Sequence, residues 1–195
     1  MSMKKDSSNR TVIIVMTALF AALMAVCSWI AIPLPGLQVP VTLGTLGATL
    51  AGGILGWQAG SLAILVFLLL GACGLPVFAG FHGGIGALAG PTGGYLIGYI
   101  LLAFFTGLLI QVLCKKKLNI WGIAAATIVG EFFCYLLGTA WYVISMHVTP
   151  IAALSLCVFP FLPGDALKIV CSTLLIRRLR PVAENMGITP VHTDR

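Results

Sequence analysis

Asp165 and Lys168 stand three positions apart behind Pro163-Gly164, in a segment that is otherwise apolar. On a helix this spacing puts both side chains on one face. Together they would form a polar clamp, the carboxylate accepting from N–H donors of a neutral ligand and the ammonium donating to a carbonyl or carboxylate. A purely structural reading is also open, with Asp165 capping the helix and Lys168 pairing to it while snorkelling to an outer interface. A cap alone needs no lysine in an apolar zone, and an ionisable group at membrane depth is costly enough to be a functional-site candidate. Glu131 is the other carboxylate in such surroundings. Its roles stay open among ligand contact, proton relay and a protonated group bonded between helices.

His82, in Phe81-His82-Gly83-Gly84, can donate and accept from a glycine-rich stretch. With His147 and His192 far along the chain it makes no metal-ligand cluster. The six cysteines are scattered without CxxC or CxxH spacing and read as small apolar residues. The sequence has no GxSxG, HExxH or GxxxxGK[ST] motif, so neither a catalytic centre nor ATP hydrolysis by this chain is expected. Tyr95, Trp141 and Tyr142 fall near the ends of apolar runs, where aromatic belts form in any membrane protein.

The elements that must position these residues follow from composition. Of 195 residues 59% are hydrophobic and 8% charged, against about 25% charged in a soluble domain. No Asp, Glu, Lys or Arg occurs between Arg10 and Lys115. A soluble globule is excluded, and an all-α integral membrane protein is expected. At roughly 20 residues per span, the expected architecture is six transmembrane helices: a segment 1–11, one membrane domain over 12–180 and a polar tail over 181–195. The first span, Val12 to Ile32, is too long for a signal-peptide core and is read as a mature helix. It ends at Pro33-Leu34-Pro35-Gly36, a turn sequence followed by the short polar patch Gln38-Val39-Pro40. Thr42 to Gly71 is expected to hold two short spans folded back at Gly56-Trp57-Gln58. Gly71 to Gly94 is too rich in Gly and Pro for a regular helix, and such backbone needs protein or a cavity to satisfy it. Three more spans are expected over Tyr95 to Cys114, Ile120 to Met146 and Gly164 to Leu179.

The net charge of +6 comes from short clusters at span ends without interleaved aromatics, so nucleic acid is not an expected partner. With both termini cytoplasmic, ten of the eleven Lys and Arg fall on the inner side, Lys168 being the exception. Pro33 to Val41, Cys73 to Gly90 and His147 to Pro163 then face outward, which suggests a ligand site open to the exterior. In the first span Ala18 and Ala22, with Ala21 and Ala25 alongside, have the small-xxx-small spacing that lets another helix approach closely, either a partner or a neighbouring span.

Four motifs in order carry a resemblance: Val39-Pro40-Val41-Thr42-Leu43, Gly74-Leu75-Pro76-Val77-Phe78-Ala79-Gly80, Gly90-Pro91-Thr92-Gly93-Gly94-Tyr95 and Phe161-Leu162-Pro163-Gly164-Asp165-Ala166-Leu167-Lys168. Over Val12 to Pro181 the chain resembles the BioY family, the biotin-specific S components of energy-coupling-factor (ECF) transporters. The resemblance implies a six-helix protein in a prokaryotic plasma membrane that captures biotin from outside. It also implies a transmembrane coupling subunit and two cytoplasmic ATPases as partners. The substrate-binding residues expected on this basis are Asp165, Lys168, His82, Gly83, Tyr95, Trp141 and Thr42. The expected docking residues are Ala18 and Ala22, and no cofactor, metal or catalytic residue is implied. Two departures stand out: Gly44 where family members often have Gln, and Phe81-His82 where they often have Gly or Ser, or Asn next to it. Biotin's ureido ring has two N–H donors and one carbonyl, which an acceptor and a cation one turn apart complement. A carrier of another class, self-sufficient and proton-coupled through Glu131 and the Asp165/Lys168 pair, is the competing expectation. So is a membrane subunit whose polar residues only hold helices together.

Overall fold

The computed structural model describes residues 2–32, 39–114 and 118–189. The turn at Pro33 to Gly36, the Lys115 to Lys117 cluster and the end of the tail from Pro190 lie outside the described residues. Helix α1 covers Ser2–Trp29 and leads into a two-rung antiparallel ladder, β1 (Ala31–Ile32) with β2 (Val41–Thr42), in which Ala31 pairs with Thr42 and Ile32 with Val41. Then come α2 (Gly44–Ala72), a 3-10 turn at Ala79–Phe81, the short α3 (Ile85–Ala89), α4 (Gly93–Leu113), α5 (Ile120–Met146), α6 (Pro150–Cys157) and α7 (Leu162–Asn185). Among the described residues four helices are long and apolar enough to cross a membrane, and the bent pair α6–α7 makes a fifth candidate if it counts as one span. Helical structure reaches Ser2 at one end and Asn185 at the other, so the chain on either side of 12–180 continues α1 and α7.

Helix α2 breaks where the sequence places a turn. Gly56 sits at φ 82°, ψ 174°, a conformation only glycine adopts without strain. Beyond it the chain comes back on itself: a Cβ added to Gly60 would lie 2.6 Å from the carbonyl oxygen of Ala51. Nine residues along a straight helix rise about 13 Å, so that contact requires a sharp reversal. The break also leaves carbonyls of the preceding turn without helical partners. Arg180 Nη1 of α7 donates to one of them, Gly53 O, at 2.7 Å, while its Nε donates to Glu184 Oε1 at 3.2 Å. Arg180 is therefore fully buried beneath the broken helix rather than sitting in a surface cluster with Arg177 and Arg178.

The core lies between α2, α4 and α5, with α1 against α2 and α7 against both α2 and α5. The α2–α4 contact is backbone to backbone, because Gly107 leaves no room for a Cβ against Gly52 O, 2.8 Å from where it would stand. Met24, Ala51, Ile64, Phe67, Leu102 and Ile123 fill this core. A second cluster of Val39, Tyr95, Tyr142, Ala153, Cys157 and Phe161 closes one end. Tyr95 and Tyr142 are thus buried packing residues and do not form an aromatic belt.

The segment His147 to Pro163, expected as an outer loop, contains α6. Thr149 caps it, its side chain accepting from Ala152 N at 3.3 Å, and Pro150 opens its first turn. The bend of 56° between α6 and α7 falls at residues 158–161.

Candidate functional site

The α6–α7 bend sets Asp165 in the first turn of α7, where a carboxylate also meets the favourable end of the helix dipole. Asp165 is not the cap. That position is Phe161, whose carbonyl accepts from Asp165 N at 2.9 Å, and the side chain of Asp165 points into the bundle. Its Oδ1 accepts from Lys168 Nζ at 2.8 Å and its Oδ2 from the hydroxyl of Tyr135 on α5. Lys168 Nζ reaches Thr45 Oγ1 on α2 at 3.2 Å. With Lys168 8% exposed and Asp165 3%, the lysine does not snorkel to an interface. The cap and the snorkelling expected in the structural reading are overturned, while its pairing of Lys168 to Asp165 is present and extends to Tyr135 and Thr45 across the bundle.

These groups line a cavity of about 40 Å³ shared with Thr42, Tyr95, Tyr99, Glu131, Cys134 and Phe161, among others. Thr42 Oγ1 accepts from Gly44 N at 3.1 Å and stands 3.4 Å from the Tyr99 hydroxyl, so it both ends the β ladder and satisfies the first turn of α2. A Cβ on Gly44 would come within 2.6 Å of that hydroxyl, so Tyr99 fills the space that a longer residue at 44 would need. Tyr95 closes the cavity from α4, its hydroxyl 3.1 Å from Thr139 Oγ1. Glu131 lies on the cavity wall with Oε1 buried and without a hydrogen-bond partner among the described residues.

Of the expected substrate residues, the structure brings Asp165, Lys168, Thr42 and Tyr95 together. His82 and Gly83 do not line the cavity; they lie exposed on the loop after α2. There His82 O accepts from Phe78 N at 3.0 Å, and Gly83 packs its backbone against Leu75 O where no side chain fits. The loop is tied to the end of α1, Trp29 Nε1 donating to Pro76 O at 2.8 Å and its ring lying 5.2 Å from that of Phe81. Trp141 is half-buried and donates to Gly90 O at 3.0 Å, holding the chain ahead of α4 instead of lining the cavity. The alanine stripe of α1 divides: Ala21 and Ala25 are buried against the bundle, whereas Ala18 and Ala22 face outward beside Val15 and Leu19. Thr45, Tyr99 and Tyr135 were not singled out by the sequence, although Tyr95/Tyr99 and Glu131/Tyr135 each recur at i, i+4 and so share a face.

A wider apolar groove of about 840 Å³ lies between α5, α6 and α7 and includes Phe132, Leu136, Ile144 and Leu154. It meets the cavity at Glu131, Tyr135 and Asp165. Apart from Thr139 and the three groups that it shares with the cavity its lining is apolar; the donors and acceptors converge in the smaller cavity.

The family model for the BioY family matches residues 2–185. The chain belongs to the BioY family. It is 41% identical over 168 residues to a protein named biotin transporter BioY from Thermotoga maritima, covering 86% of this chain and 95% of that protein. A biotin transporter BioY from Rhodobacter capsulatus is 39% identical over 175 residues, covering 85% and 92%. Among solved structures, the crystal structure at 2.1 Å of the S-component for biotin from an ECF-type ABC transporter superposes with a TM-score of 0.81 at 29% identity, covering 88% of this chain and 92% of that one. In this BioY chain three of the four sequence motifs contribute to the cavity, and the fourth lies on the exposed loop after α2. Val39 to Leu43 and Phe161 to Lys168 contribute lining residues directly, Tyr95 ends the third, and Gly74 to Gly80 begins the exposed loop.

Proposed function

We propose that this protein is the biotin-binding S component of an ECF-type importer, capturing biotin from outside the cell for delivery by partner subunits. The observation that carries the reading is the buried Asp165/Lys168 pair opening onto a cavity built from five helices and the β2 turn. An acceptor and a cation held 2.8 Å apart match one N–H donor and the carbonyl of a ureido ring, and the aromatic and apolar wall matches the thioether ring. A cavity of about 40 Å³ accommodates a few water molecules and is smaller than a bicyclic ligand. Binding therefore requires opening, and the hydroxyl of Tyr135 is a donor with which the ligand shares Asp165.

The membrane domain is read as six spans: α1, the two halves of α2 on either side of Gly56, α4, α5 and the bent α6–α7 pair. Both termini are placed on the cytoplasmic side by the distribution of Lys and Arg. The location is the plasma membrane of a prokaryote. A transmembrane coupling subunit and two cytoplasmic ATPases supply the energy, since this chain has no ATPase motif. The outward-facing Ala18 and Ala22 of α1 are the docking surface for the coupling subunit.

One observation favours a second reading. Glu131, a buried carboxylate beside Asp165, is what a self-sufficient proton-coupled carrier would use as a relay. Uptake by cells expressing this chain alone separates the two. Concentrative biotin uptake that collapses on adding a protonophore supports the carrier; accumulation that requires the coupling and ATPase subunits supports the S component.

A further inference from the structure

The donors and acceptors of the cavity are unevenly occupied. Both oxygens of Asp165 already accept a hydrogen bond, from Lys168 and from Tyr135. Lys168 has three N–H donors, of which Asp165 and Thr45 take two, leaving one for a carbonyl. A cyclic urea directs its two N–H groups away from each other on either side of its carbonyl, so one carboxylate can take only one of them. Recognition of the whole ring needs a second acceptor on a different wall. Glu131 is on α5, whereas Asp165 is on α7, and Glu131 Oε1 is buried without a partner among the described residues. Several other buried polar atoms share that condition, Thr17, Ser28 and Thr106 among them, but none belongs to a residue lining this cavity. A buried carboxylate oxygen left unpaired is costly and calls for an explanation.

We infer that Glu131 is a specificity-determining ligand contact, its carboxylate accepting the ureido N–H that the Asp165/Lys168 pair leaves unmatched. The inference rests on the biotin reading of the site and adds a residue to it. Its chemical consequence is selectivity between the two ureido nitrogens: a methyl group on one is opposed by Glu131, and on the other by Asp165.

The test titrates the purified full-length protein with biotin and with two biotins, each methylated on a different ureido nitrogen. In the wild type both methylated ligands bind more weakly than biotin. Glu131→Ala is expected to weaken biotin by about 10-fold, the effect of leaving a buried N–H donor without its acceptor. In the same variant one methylated ligand, and only one, loses its disadvantage relative to biotin. Glu131→Gln keeps an acceptor oxygen of the same reach and is expected to hold biotin affinity within about 3-fold. Unchanged discrimination against both methylated ligands in Glu131→Ala overturns the inference, and so does a 10-fold loss in Glu131→Gln. A wild type that binds no biotin overturns the functional reading itself, which is a different result from either of these.

Discussion

Lys168 Nζ lies 2.8 Å from Asp165 Oδ1, one turn earlier on the same helix, and 3.2 Å from Thr45 Oγ1 across the bundle. The pair is almost wholly enclosed, so each charge depends on the other. Removing one partner of a buried ion pair leaves an uncompensated charge, at a cost of about 3–5 kcal/mol, whereas replacing both with apolar groups is often neutral. Asp165→Asn is therefore expected to lower the melting temperature in detergent as well as weaken binding. Asp165→Leu with Lys168→Met restores the melting temperature but not biotin binding. Recovery of both in the double variant would place the pair outside the ligand site.

Tyr135 competes with the ligand for Asp165. Removing its hydroxyl takes away one hydrogen bond to a carboxylate, worth about 1.5–3 kcal/mol. Tyr135→Phe is expected to tighten biotin binding by about 10-fold or more, the equivalent of that energy, as read by titration. Weaker binding would mean that the hydroxyl contacts biotin.

The reversal in α2 depends on Gly56 at φ 82°. A side chain there is held in a backbone region that costs about 1–3 kcal/mol for any other residue, and its Cβ would stand 3.1 Å from Thr189 Cγ2. Gly56→Ala is expected to lower the melting temperature, with biotin binding preserved at temperatures where the protein remains folded. A melting temperature equal to the wild type would show that the break does not need glycine.

The two alanine pairs of α1 make opposite predictions because they face opposite ways. Ala18→Leu or Ala22→Leu, on the outward face, is expected to leave biotin binding by the isolated chain intact and to abolish co-purification with the coupling subunit. Ala21→Leu, on the buried face, overpacks the bundle at about 1–3 kcal/mol and lowers stability. Retained co-purification in both outward variants would remove this face as the docking surface.

How much of this was legible in the sequence depended on the kind of signal. Asp165 and Lys168 stood out because a charge in an apolar segment has few structural excuses, and their i, i+3 spacing already placed them on one face. The break at Gly56 was legible as a glycine-rich centre in a run too long for one helix. Helix α6 was written in Thr149-Pro150, a start signal hidden inside what otherwise reads as a loop. Tyr99, Tyr135 and Thr45 carry no comparable mark, since a tyrosine or threonine in a membrane helix is ordinary until its neighbours across the bundle are known. His82 and Trp141 drew attention through their glycine-rich and aromatic settings, but the loop folds over α1 and away from the cavity. Arg180 reads as part of a basic cluster at a span end, and only the tertiary fold shows it buried against Gly53.

The most direct test of the central claim is a calorimetric titration of the purified, partner-free protein with biotin, alongside Asp165→Asn. The account predicts saturable binding at one site in the wild type and an affinity lower by about 10-fold or more in the variant, from the loss of charge-assisted hydrogen bonds. Equal affinity in the two proteins, or no binding in the wild type, would contradict it.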